Sequence, residues 1–252
     1  MKLIDDYHIH TYYSDGTQSV QQMVQACVDA HLRCIALTDH GSGHIAHGVR
    51  RTAKKALFAD IEAARERYGG RITILRGIEA NLMGTDGRID LKEDELKEYD
   101  IILLGFHKTA VTFKSALHFH VRSKLPLSSE YAKELTTKAY IKAMQRYPID
   151  IIVHPNYAVK VDVAALAVQA AKSHVALEIN GHINRMSKEE LIAAKEAGAF
   201  FTINSDAHKT AHIGRTDRAI EDALAAGIGG DLVANTSCGP RLKCFERLER
   251  KG

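Results

Sequence analysis

The segment DYHIHTYYSDG, residues 6–16, follows a short apolar run and places His8 and His10 one residue apart. Alternate side chains of an extended strand point to the same side, so we expect the two imidazoles to project together. The polar turn that follows ends the strand and lets Asp15 fold back toward the same point. Two imidazoles and one carboxylate are typical ligands of a first-row divalent metal ion, although a pair of solvated histidines is the alternative interpretation.

The composition is that of an ordinary globular protein, with 45% hydrophobic and 26% charged residues in a chain of 252. Barrels of alternating strands and helices reach this length as one unit, so we expect a single domain over residues 1–252. The net charge of +3 with neutral histidine is too small to indicate a nucleic-acid partner by itself.

The sequence shows no pattern for export or membrane insertion. Charged residues occur within the first positions, MKLIDD, so the N-terminus lacks the apolar core of a secretory signal. No apolar stretch is long enough to span a bilayer. The four cysteines show neither CxxC pairs nor zinc-finger spacing, which is typical of reduced thiols. We therefore expect a cytoplasmic protein without a membrane partner.

Short apolar segments alternate with helical patterns along the whole chain. The seven predicted strands lie near residues 3–10, 34–37, 72–81, 100–104, 150–153, 176–179 and 200–203. The predicted helices cover residues 18–31, 50–68, 130–147, 161–172, 187–198, 216–226 and 240–250. This alternation predicts an α/β fold in which helical crossovers join parallel strands.

Residues with metal-binding side chains stand at the ends of six of these strands. They are His8, His10, His40, Glu79, His107, His154, Asp206 and His208. In a closed barrel the residues just past each strand gather on one rim, so this set would converge on one site. One such histidine would mean little, but metal-type ligands on six strands are hard to obtain by accident.

These positions make the chain resemble the PHP (polymerase and histidinol phosphatase) family. The resemblance rests on His8-x-His10 with Asp15, Thr38-Asp39-His40, Glu79, His107, His154-Pro155 and Ser205-Asp206-x-His208, in family order over nearly the whole chain. The chain is most similar to the small stand-alone bacterial members described as phosphatases or phosphoesterases. The resemblance implies a distorted TIM-like (βα)7 barrel with a metal cluster at the C-terminal rim of the strands.

The resemblance also implies three divalent metal ions. The first would be held by His8, His10, Glu79 and Asp206. The second would share Glu79 and be held by His107 and His154. The third would be held by Asp15, His40 and His208. Nitrogen and oxygen ligands without thiolate suit zinc, manganese or iron, and the sequence does not choose among them.

Such a cluster would activate hydroxide for attack on a small phosphomonoester, for example histidinol phosphate or a nucleotide. The leaving oxygen needs a proton, which Asp206, His208 or a metal-bound water could supply. Arg185, after the sixth strand, is our candidate for clamping two phosphate oxygens, with a surface arginine as the alternative. Asp39 could orient a ligand imidazole or cap a turn.

The segments that would set the substrate are the loop with His44 and His47 and a basic insertion over residues 108–129. The insertion contains His118-x-His120, which we interpret as loop residues rather than a further metal site. Other functions stay open: a non-catalytic domain that binds metal or a phosphorylated metabolite, a nucleotide or oligonucleotide phosphodiesterase, and a proofreading module acting in trans. A small phosphorylated substrate is the favoured partner; nucleic acid is less favoured, and a homo-oligomer is compatible with the sequence.

Overall fold

Seven parallel strands form one sheet in the computed structural model, which describes residues 1–108, 110 and 130–250. The strands are β1 Asp5–Ile9, β2 Cys34–Leu37, β3 Thr73–Asn81, β4 Ile101–Gly105, β5 Ile151–Ile152, β6 Ala176–Glu178 and β7 Phe201–Thr202. The α-helices of the described part are α1 Val20–Asp29, α2 Lys54–Tyr68, α3 Glu130–Arg146, α4 Val163–Lys172, α5 Lys188–Glu196, α6 Asp217–Ala225 and α7 Lys243–Glu249. Each strand is hydrogen-bonded to the next one along the chain, so the predicted α/β alternation is confirmed.

Two helices begin with a reciprocal capping box. The Ser19 side chain accepts a hydrogen bond from the backbone N–H of Gln22, and the Gln22 side chain accepts one from the backbone N–H of Ser19. Ser187 and Glu190 form the same pair at the start of α5, as the sequence predicted. These bonds satisfy N–H groups that the first turn of a helix leaves without partners.

Strands β5 and β7 have two residues each and are shorter than the sequence indicated. Some of the backbone groups beyond these strands bond to side chains instead of to a neighbouring strand. The N–H of His154, two residues past β5, donates to Glu178, and the N–H of Ile203, the first residue past β7, donates to Asn235. The regular ladder therefore stops where polar side chains enter the barrel.

The first strand and the segment after the last strand close the sheet. Ile9 forms a parallel bridge with Ala207, and the N–H of His10 donates to the carbonyl of Ala207. At the N-terminal ends of the strands, residues 233–236 lie between β1 and β7. The N–H of Ile4, just before β1, donates there to the carbonyl of Asn235. The sheet thus curls into the distorted seven-stranded barrel that the resemblance implied.

Alternate residues of β4 pack on the two faces of the sheet. Ile101 and Leu103 belong to a buried cluster that receives side chains from six strands and fills the barrel interior. Ile102 and Leu104 pack on the other side, in the cluster that includes the helices α3 to α6. Burial on both faces is typical of parallel strands. Because apolar residues fill the interior, a cavity can open only toward a barrel end.

Several smaller predictions concern single features. Cys27, Cys34 and Cys244 are buried, Cys238 is exposed, and all four are free thiols. Among the described residues, none of the helices has the length and apolar character that crossing a bilayer requires. The predicted insertion, with His118 and His120, lies outside the described residues apart from its first residue and residue 110.

Candidate metal centre

The C-terminal ends of the strands surround a cavity of about 560 Å³. The structure brings all nine predicted metal ligands together at or beneath this cavity. They are His8, His10, Asp15, His40, Glu79, His107, His154, Asp206 and His208. These side chains come from six different strand ends, so the barrel supplies the convergence that the sequence predicted.

Two of these residues lie in the left-handed backbone region. His154 has φ 32° and Asp206 has φ 51°, at the ends of β5 and β7. Such a conformation costs about 1–3 kcal/mol for a residue other than glycine and is concentrated at functional sites. The turns place both side chains at the C-terminal end of the barrel instead of extending the strands.

Glu79 lies at the centre of the cluster and is 0% exposed. Its Oε1 is 2.8 Å from Nε2 of His154 and 3.1 Å from Nε2 of His107. Its Oε2 is 2.7 Å from Nδ1 of His40 and 3.5 Å from Nε2 of His8. The two oxygens face different sets of imidazoles, which is the arrangement of a carboxylate that can bridge two cations.

Two further carboxylates complete the cluster. Oδ1 of Asp206 is 3.4 Å from Nε2 of His10. Asp15 is 3.2 Å from Nε2 of His208 through Oδ1, and 3.3 Å from Nε2 of His40 through Oδ2. Potential ligand atoms lie within 4.8 Å of one another in four overlapping groups: His10, Asp15, His40 and His208; His8, His154 and Asp206; His8, His10 and Glu79; and His40, Glu79 and His107. One ion could therefore contact several of them at once.

Four buried atoms of the cluster have no hydrogen-bond partner among the described residues: Nε2 of His8 and His10, Nδ1 of His40, and Oε2 of Glu79. Nδ1 of His40 is only 2.7 Å from Oε2 of Glu79, yet the two atoms are not aligned for a hydrogen bond. A buried polar atom without a partner costs about 1–3 kcal/mol. Nitrogen and carboxylate oxygen atoms that face a shared space are suited to a cation once any proton on them has left, so the residues fit divalent metal ions.

The imidazoles and carboxylates shift one another's pKa values. Burial raises the pKa of Glu79, but His107 and His40 outweigh burial and hold it well below its usual value. The same balance, with His8 and His10 as partners, keeps the pKa of Asp206 well below its usual value. Both carboxylates are therefore ionised near neutral pH, as metal ligation requires.

Sequence reasoning missed the groups that orient the ligand imidazoles. Nδ1 of His107 is 2.7 Å from the amide oxygen of Asn81, which only accepts, so Nδ1 carries the proton and Nε2 faces Glu79. The amide of Asn81 is in turn held by Asp90 through a 2.6 Å bond. The signal was present, because Asn81 follows Glu79 by two positions in β3 and so points to the same face.

Asp39 caps a turn and does not contact a ligand imidazole. Its Oδ1 accepts hydrogen bonds from the backbone N–H of Thr11 at 2.7 Å and the hydroxyl of Ser14 at 2.6 Å. Its Oδ2 accepts from the Thr11 hydroxyl at 2.7 Å. The turn held in this way carries Asp15, and the Ser14 hydroxyl is also 3.4 Å from Nδ1 of His10, so Asp39 acts on the cluster through this turn.

Arg185 is exposed and does not line the cavity. His182 and Ile183 line it from the same segment. Their backbone N–H groups both donate to the side-chain oxygen of Asn180, at 2.9 and 2.7 Å, and this turn determines which residues reach the cavity. The expectation that Arg185 clamps a phosphate is therefore not supported by its position.

The remaining wall of the cavity contains residues outside the predicted ligand set. They are His44, His47, Lys108, Tyr157, Ala158, His182 and Ile183. The imidazole of His44 stacks on that of His40 with 4.6 Å between ring centroids. The Tyr157 ring contacts His154 edge-on at 5.3 Å. The loop with His44 and His47 thus lies at the rim, where the sequence suggested a substrate contact.

The amino-acid sequence is similar to those of known proteins. Residues 6–204 match the family model of the PHP domain. A protein of Thermoanaerobacter pseudethanolicus named "Probable phosphatase" is 31% identical over 261 residues, which cover 100% of this chain and 98% of that protein. A protein of Shewanella sediminis with the same name is 32% identical over 87% of this chain and 84% of that protein.

A solved structure shares the fold at lower identity. It is the histidinol phosphate phosphatase of Lactococcus lactis in complex with zinc, L-histidinol and phosphate. The TM-score is 0.58 and the sequence identity 17%, over 89% of this chain and 94% of that one. The likeness shows that the barrel is common to both proteins.

Proposed function

Because the chain belongs to the PHP domain family, we propose that it is a metal-dependent phosphoesterase that hydrolyses a small phosphomonoester. The observation that carries the proposal is the cluster of nine metal-type ligands beneath one cavity, in which four buried atoms lack hydrogen-bond partners among the described residues. The relatives named as phosphatases, which align over most of their length, support the same activity.

The chain's own residues would hold three ions. Glu79, whose two oxygens face different imidazoles, would be shared between the ion held by His8, His10 and Asp206 and the ion held by His107 and His154. Asp15, His40 and His208 would hold the third. Divalent ions held there supply a Lewis acid for phosphate oxygens and a means of ionising water near neutral pH. Zinc, manganese and iron all suit these nitrogen and oxygen ligands.

The contacts of Asp206 and His208 favour metal ligation over proton transfer. Nδ1 of His208 is 2.9 Å from the backbone carbonyl of Asp206, which only accepts, so Nδ1 carries the proton. Nε2 of His208 then faces Oδ1 of Asp15 at 3.2 Å and is the nitrogen that would bind an ion. Asp206 is ionised and already accepts a hydrogen bond from Asn180, so it has no proton available for a leaving group. Burial lowers the pKa of His208, but Asp15 and Asp206 outweigh burial and raise it, so this imidazole holds a proton on Nε2 more readily than a free one, and binding an ion there would displace it.

The cavity wall suits a small substrate with one charged and one less polar part. Among the lining residues that the structure describes, Lys108 is the one with a permanent positive charge, and we assign it contact with the phosphate. Tyr157, Ala158 and Ile183 offer a less polar surface to the alcohol part. A volume of about 560 Å³ is within the range of small-molecule sites. Histidinol phosphate, after the Lactococcus lactis complex, and nucleotides are the first substrates to test.

A phosphate-release screen with added zinc or manganese tests the proposal. It compares phosphomonoesters, phosphodiesters and short single-stranded DNA, and uses wild type, His10→Ala and the control His31→Ala. His31 is exposed and precedes β2, at the end of the sheet away from the cavity. We expect metal-dependent monoester hydrolysis by wild type and the control, and a loss of at least about 100-fold in His10→Ala.

Other results would select another function. Equal rates above background in wild type and His10→Ala would remove the cluster from catalysis. Bound metal without turnover of any ester would favour a non-catalytic binding domain. Faster cleavage of diesters or DNA than of monoesters would favour a phosphodiesterase.

A further inference from the structure

Glu178, the last residue of β6, lies beneath the ligand cluster and is 0% exposed. It belongs to none of the predicted ligand sets. Its Oε1 accepts hydrogen bonds from Nδ1 of His8 and from the amide of Asn204, both at 2.9 Å. Its Oε2 accepts from the backbone N–H of His154 and from the amide of Asn180, also at 2.9 Å. Four donors therefore surround one buried carboxylate.

This arrangement determines which nitrogen of His8 carries the proton. A carboxylate surrounded by four donors satisfies all of them only as an acceptor at both oxygens. Nδ1 of His8 must then donate, which leaves the lone pair of that imidazole on Nε2. Nε2 is the atom that faces Glu79 at 3.5 Å and Asp206 at 3.6 Å.

The same carboxylate reaches two other predicted ligands. Its bond to the N–H of His154 holds the left-handed turn that places this residue beyond β5. The amide of Asn180 that donates to Glu178 is also 3.1 Å from Oδ2 of Asp206. Residues from β1 and from the ends of β5 and β7 are thus held by contacts that meet at Glu178.

We propose that Glu178 is a positioning residue that fixes the tautomer of His8 and holds the backbone of His154, so that their ligand atoms face the same ions. The inference rests on the proposed function only in taking the cluster as a metal centre. Groups that orient ligand imidazoles typically change metal affinity by about 10–100-fold when they are replaced.

The isosteric variant Glu178→Gln separates this role from simple packing. A glutamine has one accepting oxygen and one donating NH₂ group, so one of the two donor pairs always faces the NH₂ group. If the NH₂ group faces His8, Nδ1 must accept and the proton moves to Nε2, where it blocks ligation. If it faces His154, the backbone N–H there loses its acceptor. We expect zinc affinity to fall by about 10–100-fold in either orientation.

Two measurements test the inference without using catalysis. Zinc affinity is determined by competition with a chromogenic chelator, together with elemental analysis after dialysis. Long-range ¹H–¹⁵N NMR of the zinc-loaded wild type shows which nitrogen of His8 carries a proton, with His8→Asn used for assignment. We expect the proton on Nδ1.

Asp150→Asn is the matched control, because it removes a buried negative charge from a residue that is also 0% exposed. Asp150 precedes β5, at the opposite end of the strand from His154, and pairs with Arg247. We expect this variant to lose stability and to keep the zinc affinity of wild type.

Wild-type zinc affinity in a folded Glu178→Gln, or a proton on Nε2 of His8 in the wild type, would overturn the inference. The NMR result decides the question even if the variant does not fold. A wild type that binds zinc with Nδ1 of His8 protonated but hydrolyses no phosphate ester would refute the proposed function and leave the role of Glu178 in place. A wild type that hydrolyses a phosphate ester, together with unchanged zinc affinity in Glu178→Gln, would support the proposed function and refute the role of Glu178.

Discussion

Gly105, the last residue of β4, is the position where one added methyl group should damage the metal centre most directly. A Cβ atom there would lie 2.9 Å from Oε1 of Glu79, 2.9 Å from Cε1 of His107 and 2.9 Å from Cε1 of His154. Ordinary contacts between carbon atoms are about 3.5–4.0 Å, so these side chains must retreat by roughly 0.6–1 Å. All three belong to the proposed site of the second ion.

The size of the effect expected for Gly105→Ala follows from how precisely metal ligands must be placed. Ligand distances tolerate about 0.2 Å, well below the expected displacement. A misplacement of about 1 Å can cost about 100-fold in rate, which corresponds to about 2.7 kcal/mol of transition-state stabilisation. We therefore expect Gly105→Ala to lose bound metal on dialysis and to lower kcat/KM by about 100-fold.

The assay combines elemental analysis, kcat/KM with a chromogenic phosphate ester, and thermal unfolding. Gly230→Ala is the control, because its Cβ would meet only ordinary contacts, the nearest at 3.4 Å from Sγ of Cys238. Gly105 does not have a positive φ, so alanine is compatible with the backbone and only the contacts are at issue. Full metal content and wild-type activity in Gly105→Ala would refute the reasoning.

Three further predictions concern proton release, ligand orientation and stability. Burial lowers the pKa of His40, but Glu79 and Asp15 raise it to about 10, so the imidazole is protonated at pH 7 and must release a proton when it binds a cation. Zinc affinity should then rise by at least about tenfold per pH unit between pH 7 and 9, since the pKa of His8 is raised as well, as measured by calorimetry in buffers of different ionisation enthalpy; a flat profile would contradict this. Asp90→Asn weakens the contact that holds the amide of Asn81, which orients the imidazole of His107, and should lower zinc affinity about tenfold. Unchanged zinc affinity in a chelator competition would show that Asp90 does not act on His107. Ser187→Ala removes the cap of α5 and should lower the free energy of unfolding by about 1 kcal/mol in urea, with metal content unchanged; a variant as stable as wild type would show that the cap contributes little.

The fold and the ligand cluster were predictable because both follow from local patterns. Apolar segments of strand length recur between helical patterns, and a histidine or carboxylate follows nearly every one of them. Parallel strands bring their C-terminal ends to one edge, so positions such as His40 and His154 could be placed together without knowledge of the contacts between them.

Apart from Asn81, the residues that orient the ligands could not be predicted in the same way. Glu178 ends an apolar strand, and its partner His8 is 170 positions away, so no local pattern indicates the pair. Arg185 is the opposite case, a prediction that its position does not support. Its residue type suited phosphate binding, but the side-chain oxygen of Asn180 accepts two backbone hydrogen bonds and turns the chain so that other residues line the cavity. Such turns depend on side-chain geometry rather than on periodicity.

The closure of the barrel between its first and last strands has a consequence for how the protein acquires its ions. The hydroxyl of Ser205 donates to Asp6 across 199 positions, and Ile9 pairs with Ala207 at the same junction. During synthesis the ribosome makes His8 and His10 first, long before the carboxylate and imidazole that complete their surroundings. A cation that met the nascent chain before β7 was made would find an incomplete set of ligands, so loading belongs after the first and last strands have paired.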